Sequence, residues 1–322
     1  MSEHIFNKYV SVNNEFYRLY KNKYNRKLNY NVLAYAVFEL SAIKGVYPDD
    51  RLFDDMRDVD MFGVSNPIFS SVASDLVQEI NIEDMMKELR MRTDEILNLF
   101  YQACKAKTRR IDYKYNVDSK GNIELSYGFS KFNVNSRIVE KLRRMHTGKN
   151  FAHDLKRLIM RYAPLVQGSA VNCQASFIED FDITFEMFAS PFNVNEQHKY
   201  FALYAEDKVF GSLGNFFVPD NSYSTTLNLN VDEVYQCNPV FSDKLLHLTA
   251  ERIMELGDRN YKILVVMPHW IDSAGVEMLK IKYPYKIVEN DLCLYVPGDV
   301  FKHEEDKLIN IGSATILFGV NM

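Results

Sequence analysis

The residues Asn238-Pro239-Val240-Phe241 carry the types and order that an acceptor clamp for an exocyclic amino group requires. An Asn side-chain oxygen and a backbone carbonyl can converge on one N–H₂, and an aromatic ring close behind them can stack on the base that bears it. Asn238, the carbonyl of Pro239 and Phe241 supply those three parts in sequence. The chemistry such a clamp supports is methyl transfer onto the N6 of adenine. Pro239 has a fixed φ and no N–H, so its carbonyl sits on a rigid turn, and rigidity of that kind is preorganisation. An Asn-Pro pair after a strand also serves as a plain turn initiator, so the elements that hold it decide between the two.

The run Val234-Tyr235-Gln236-Cys237 reads as a buried strand, and Asp243 to Leu256 reads as a helix with apolar positions at Leu245, Leu246, Leu248, Ile253 and Leu256. Asn238 then lies at the carboxyl end of a strand, where open α/β sheets bind ligands. A second constellation, Ile183 to Asn193, is an alternating strand that runs through Phe188 into Ala189, Ser190 and Pro191. Its small residues let backbone approach a nucleotide-like cofactor. Phe210-Gly211-Ser212-Leu213-Gly214-Asn215 adds a glycine loop that can wrap a cofactor, although its spacing departs from G-x-G-x-x-G and also suits a simple turn. The third element, Lys262 to Met267, is a buried strand leading to Pro268, His269 and Trp270. Trp270 is placed either to stack on a base or to pack in the core. His269 is left outside the catalytic set, because an attacking amine held by two acceptors needs no strong base.

The chain has 322 residues, 47% hydrophobic and 13% aromatic, enough for one large or two modest globular units. Its four cysteines, Cys104, Cys173, Cys237 and Cys293, form no C-x-x-C or Cys/His cluster, which argues against zinc and against a disulfide framework. An intracellular, reducing setting is expected, with nucleus and cytoplasm both open. Neither a signal sequence nor a membrane span is expected. Richness in Asn, Tyr, Phe and Lys suggests an AT-rich genome, viral or unicellular. Residues 1 to 165 carry 27 Lys/Arg against 21 Asp/Glu, and residues 166 to 322 carry 11 against 22. The basic half suits phosphates and the acidic half a cationic cofactor, though ordinary surface solvation also gives such clusters.

The expected organisation is a mainly helical, basic domain over 1–165 and an α/β domain over 166–322. Asn13 to Tyr24, Asn31 to Lys44 and Thr93 to Lys107 show helical spacing. Ile111 to Tyr115 and Ile123 to Tyr127 flank a turn-rich Asp118 to Asn122, which reads as a hairpin. A basic helix follows at Ser136 to Met145. Lys141, Arg143, Arg144, Lys149, Lys156, Arg157 and Arg161 make the densest basic stretch and a candidate RNA-facing surface. Strands are expected at Ile183 to Ala189, Leu227 to Leu229, Val234 to Cys237, Ile263 to Met267, Lys286 to Val288, Leu292 to Val296 and Ala314 to Val320. The short gap between Lys286–Val288 and Leu292–Val296 predicts that these two pair antiparallel.

Taken in order, these motifs resemble the cap-specific adenosine N6-methyltransferases of the phosphorylated C-terminal-domain interacting factor family. That family's Phe-Ala-Ser-Pro-Leu-Asn matches Phe188 to Asn193, its Gly-Ser-x-Gly matches Gly211 to Gly214, and its Asn-Pro-Pro-Phe matches Asn238 to Phe241. Its Pro-x-Trp after a buried strand matches Pro268-His269-Trp270, and a late Lys-x-Glu-Glu-like stretch looks like Lys302 to Glu305. The likeness covers roughly residues 180 to 320, and four ordered motifs are more specific than one.

The resemblance implies a Rossmann-like class I methyltransferase domain beside a helical domain, with S-adenosyl-L-methionine as donor and the first transcribed adenosine of capped mRNA as acceptor. It places Asn238, Pro239, Val240 and Phe241 in the catalytic clamp. Phe188, Ala189, Ser190, Pro191, Asn193, Gly211, Ser212 and Gly214 fall at the cofactor, and Trp270, Arg143 and Arg144 at the RNA. No metal is implied, and a protein partner is left unassigned. Val240 stands where the signature has its second proline, which keeps the Pro239 carbonyl and loosens the loop. A single Trp rules out recruitment through a two-Trp WW domain. The residues alone leave open a DNA adenine methyltransferase, since the clamp serves any unpaired adenine, and a catalytically silent RNA-binding subunit.

Overall fold

The computed structural model describes residues 2–25, 98–128, 130–165, 181–217, 230–240, 243–289 and 314–322, the strand residues 172–173 and 295–296, and single positions between 37 and 95. Helix α1, Ser2–Tyr24, buries Ile5, Tyr9, Val12, Phe16 and Tyr20, the three-and-four spacing of one helical face. It extends well before the expected start at Asn13. Strands β1 (Tyr113–Val117), β2 (Ile123–Tyr127) and β3 (Ser130–Val134) form an antiparallel three-stranded sheet. The β1–β2 hairpin closes on Asp118, whose carboxylate accepts from the backbone N–H groups of Lys120 and Asn122 at 2.8 and 2.9 Å. Gly121 there has φ +84°, a conformation that favours glycine.

Two capped helices follow. In α2, Ser136–Met145, the Asn135 side chain accepts from Ile138 N–H, and in α3, Phe151–Tyr162, the Asn150 side chain accepts from His153 N–H. These helices, α1 and the small sheet share a core in which Phe6 meets Tyr127 edge to face at 5.0 Å. That core runs on past residue 165 through Phe192, Leu203, Tyr204 and Phe210.

The second half is α/β. Its strands are β4 (Asn172–Cys173), β5 (Ile183–Glu186), β6 (Lys199–Tyr200), β7 (Val234–Cys237), β8 (Lys262–Pro268), β9 (Tyr285–Val288), β10 (Tyr295–Val296) and β11 (Thr315–Val320). A six-stranded mixed sheet runs β6-β5-β7-β8-β11-β9. The first four are mutually parallel, and β11 is antiparallel to both neighbours. Helix α4 (Asp243–Gly257) links β7 to β8, and α5 (Ala274–Lys282) links β8 to β9. Six of the seven β8 residues are buried, the pattern of a strand covered on both faces. The two helices pack closely at Gly275, where any Cβ would lie 2.5 Å from the Leu246 carbonyl.

The sheet overturns one pairing expectation. β9 does pair antiparallel, but with β11, whereas Tyr295 and Val296 pair with Cys173 and Asn172 in a separate two-stranded ladder. A short loop allows a hairpin but does not require one, and β9, at the edge of the sheet, takes β11 as its neighbour among the described residues. The expected strand at Leu227–Leu229, most of the Asn31–Lys44 helix, and the Lys302–Glu305 stretch lie outside the described residues. No helix among the described residues is long and apolar enough to cross a membrane.

Candidate active site

The order of the parallel strands gathers the motifs. β5 continues to β6 on one side, while β7 lies on its other side, so the chain changes direction between β5 and β7. A crevice outside the carboxyl ends of the strands at such a switch point is where α/β sheets take ligands. Glu186 is in register with Gln236, and the Met187 N–H donates to the Gln236 carbonyl at 2.8 Å. Met187-Phe188-Ala189 therefore leaves the sheet alongside Cys237-Asn238. Cys237 is in turn opposite Val265 of β8, and that strand runs on to Pro268, with Trp270 just beyond.

The glycine loop joins the same end. Leu213 N–H donates to the Tyr200 carbonyl at 2.9 Å and Ala202 N–H to the Gly214 carbonyl at 2.6 Å, which fastens Gly211–Gly214 to the exit of β6. Gly211 and Gly214 have φ of +91° and +130°, so both need glycine. Ala189 N–H donates to the Phe201 carbonyl at 3.1 Å and closes the gap between the β5 and β6 exits. The four motifs thus emerge from the carboxyl ends of four adjacent parallel strands.

Asn238 is half-buried and Pro239 buried, yet Asn238 Oδ1 is shielded from solvent and accepts no hydrogen bond among the described residues. An unpaired buried carbonyl costs about 1–3 kcal/mol. It is therefore an acceptor whose hydrogen-bonding capacity is unused among the described residues. Burial pushes the adjacent Cys237 thiol well above its ordinary value, which keeps it neutral and removes it as a thiolate nucleophile. Val240 is half-buried, and Phe241 lies outside the described residues.

Several predicted cofactor residues shape the site through bonds among themselves. Asn193 Oδ1 accepts from the Ser190 N–H at 2.6 Å and from the Ser190 hydroxyl at 3.0 Å, closing the turn that contains buried Pro191. The buried Ser212 hydroxyl exchanges hydrogen bonds with Gly214 N–H at 3.2 Å and Gly214 O at 3.3 Å. Phe188 is half-buried against Phe216 and Phe217, with ring centroids 4.7 and 5.4 Å away. Trp270 is half-buried on the second core, its backbone folded tightly by a 2.9 Å bond to the Pro268 carbonyl.

The basic stretch is not one surface. Arg143 and Arg144 are exposed on α2. Arg143 lies 4.4 Å from the Phe151 ring centroid, and Arg144 pairs with Glu196 at 2.8 Å. Arg161, by contrast, is buried, with Nη2 donating to Asp207 Oδ1 at 2.5 Å, and the Tyr162 hydroxyl donates to Asp207 Oδ2 at 2.6 Å. Burial raises the Asp207 carboxyl above its ordinary value, and the Arg161 guanidinium opposes that rise. Lys141 also turns inward, donating to the carbonyls of Phe192 and Val194 at 2.8 and 2.9 Å. Burial pushes its ammonium down to about 8, against the pull of Glu186 and Glu196. No local signal marks Lys141 or Arg161 as inward-facing, because their partners lie 46 to 53 residues away. Among the described residues no three His, Cys, Asp or Glu side chains converge on a metal position.

Residues 139–287, which hold the motifs from Phe188 to Trp270 but not the Lys302–Glu305 stretch, match the family model described as phosphorylated CTD interacting factor 1 WW domain. The matched span, somewhat under half of the chain, is similar to the phosphorylated CTD interacting factor 1 family. The matched span starts inside α2 and takes in the Asn238 clamp, the turn after β5 and Trp270. Although the family description mentions a WW domain, this span contains a single Trp, and its described part folds as α2, α3 and the α/β sheet. No curated protein matches the chain. The family is one of cap-specific adenosine N6-methyltransferases.

Proposed function

We propose that the protein is an S-adenosylmethionine-dependent methyltransferase of Rossmann-like class I fold that acts on N6 of adenosine in RNA, at the cap-adjacent position. The observation that carries this reading is the unpaired, buried Asn238 Oδ1 at the carboxyl end of β7, beside the β5 exit at the switch point. An exocyclic amino group offers two N–H donors. Asn238 Oδ1 accepts one and the Pro239 carbonyl the other, which draws positive charge from the nitrogen as it becomes a nucleophile. Phe241 stacks on the base.

The cofactor fits the residues present. The turn at Ala189–Asn193 and the Gly211–Gly214 loop lie at the exits of β5 and β6, where backbone and small residues such as Ala189 and Gly211 let a cofactor approach, and residues 166–322 carry a net negative balance that suits a sulfonium. When bound, S-adenosylmethionine supplies an electrophilic methyl group. The protein's part is to hold the amine in place for attack, which converts binding into rate. The net basic first half and the exposed Arg143 and Arg144 are the places to seek RNA contacts, and the setting is intracellular.

A second reading, a methyltransferase-fold RNA-binding subunit without turnover, is favoured by Val240 in place of the signature's second proline. The deciding experiment is transfer from labelled S-adenosylmethionine to RNA beginning with adenosine, capped and uncapped, and to single-stranded DNA, with nucleoside analysis. N6-methyladenosine on the capped RNA alone is expected. Equal labelling of DNA would make the protein a general adenine methyltransferase, and RNA binding without transfer to any acceptor would favour the silent subunit.

A further inference from the structure

We propose that Lys141 is a positioning residue that holds the Ser190–Val194 turn in its cofactor-binding shape from the opposite helix. The proposal rests on the reading of that turn as part of the cofactor site. Within the turn, Asn193 N–H and Val194 N–H both donate to the Ser190 carbonyl, at 3.1 and 3.0 Å, and the Asn193 side chain holds Ser190. These bonds fix its inner side. The carbonyls of Phe192 and Val194, two buried residues, face α2, where the Lys141 ammonium meets both.

One helical turn further along α2, Arg144 pairs with Glu196, and Glu186 at the end of β5 accepts from Asn195 N–H at 2.9 Å and lies 3.0 Å from His198 Nδ1. The loop from β5 to β6 is therefore gripped along its length, with Lys141 nearest the motif residues. A lysine suits the position because one ammonium can donate to two carbonyls that diverge from a single turn. Taking that charge out of water is costly, as its lowered proton affinity shows. Such a brace gains function where a binding loop must be held within about 0.5 Å, since an ordered loop need not be ordered again by its ligand.

The test is calorimetric titration of S-adenosylmethionine into the full chain and its Lys141→Met and Lys141→Arg variants, with steady-state methyl transfer and thermal melts alongside. Lys141→Met is expected to raise Kd and KM for S-adenosylmethionine at least tenfold and leave kcat at saturating cofactor within threefold. Lys141→Arg, which can still donate to two carbonyls, is expected to recover most of that affinity. Unchanged cofactor affinity in a folded Lys141→Met variant overturns the proposal. So does a loss of kcat in step with melting temperature, which marks a merely structural lysine. If Lys141→Met does not fold, Lys141→Gln, which keeps an amide donor on a shorter stem, carries the same comparison. Failure of the parent chain to bind S-adenosylmethionine sinks the cofactor reading itself and the positioning role with it.

Discussion

Met187 donates its backbone N–H to the carbonyl of Gln236 at 2.8 Å, and this one bond brings the exit of the predicted cofactor strand beside the exit of the predicted acceptor strand. The chain between them is long, yet the pairing of β5 with β7 leaves Phe188-Ala189 and Asn238 on neighbouring strands at the switch point. A methyl donor held by one strand and an amine held by the next need this adjacency.

Asn238→Ala should separate stability from function. Removing an acceptor that is buried without a partner deletes a desolvation cost of about 1–3 kcal/mol, which offsets the packing lost. The variant is expected to melt within a few degrees of the parent. Turnover should fall by about 10²- to 10³-fold, as when one preorganised polar group is lost from a reacting centre. Methyl transfer at parental rate by purified Asn238→Ala would remove this residue from the site.

Asp207→Ala should show the reverse. Asp207 holds both Arg161 and the Tyr162 hydroxyl in a fully buried cluster, so its removal leaves an uncompensated guanidinium. The expected cost is about 3–5 kcal/mol in urea denaturation. A change below about 1 kcal/mol would mean that water reaches Arg161 and the pair is not a structural anchor.

How far the sequence spoke for itself varies with the range of the interaction. β7, β8 and β11 were legible because largely apolar runs bounded by turn residues specify buried strands, and the basic helix expected over Ser136 to Met145 forms as α2, with Asn135 as its cap. The strand expected over Ile183–Ala189 ends at Glu186, since Met187 to Ala189 still bond to neighbouring strands but are already turning out of the ladder. The pairing of β9 was misread because its neighbour is β11, nearly thirty residues later, and nothing local encodes that partner. The clamp was suggested by four residues, of which Phe241 lies outside the described ones, whereas Lys141 and Arg161 looked like surface cations. Only tertiary packing brings Phe192, Val194 and Asp207 to them.

Lys141 also predicts a pH dependence. Its ammonium is pushed down to about 8 in the fold from an ordinary 10.5, chiefly by burial. Between those values the unfolded chain binds more protons than the folded one, so this group's contribution to stability rises with pH. Its penalty is complete below about pH 8 and relieved as pH climbs toward 10.5, by up to about 3 kcal/mol. Urea denaturation of the parent and Lys141→Met at pH 7.5 and pH 10 isolates the effect. The parent should gain on the variant at the higher pH, and a constant difference would place Lys141 in solvent.

Arg143 and Arg144 are exposed cations near the end of α2, which also exposes Arg137, and their existing partners are weak competitors. A surface ion pair such as Arg144 with Glu196 contributes about 0–1 kcal/mol, little enough for a phosphate to displace. Replacing both arginines with alanine should lower the slope of log affinity against log salt by about 1.4, two phosphate contacts on a single strand. An unchanged slope would assign the RNA path to another face.

Val240→Pro tests whether the departure from the family signature limits turnover. A proline after Pro239 confines Pro239 to extended backbone and fixes φ at position 240, so the clamp carbonyl is held with less freedom in the unbound loop. No hydrogen bond from the Val240 N–H occurs among the described residues, so the substitution removes none there. The gain should appear in kcat, because preorganisation of the Pro239 carbonyl acts on the amine as its charge develops. A rise of about 3- to 10-fold in kcat, with RNA affinity unchanged, is expected in single-turnover and steady-state assays, on the order of 1 kcal/mol of barrier. If parent and variant both bind RNA and neither transfers a methyl group, loss of the second proline is not what silences the site, and the chain acts as a binding subunit.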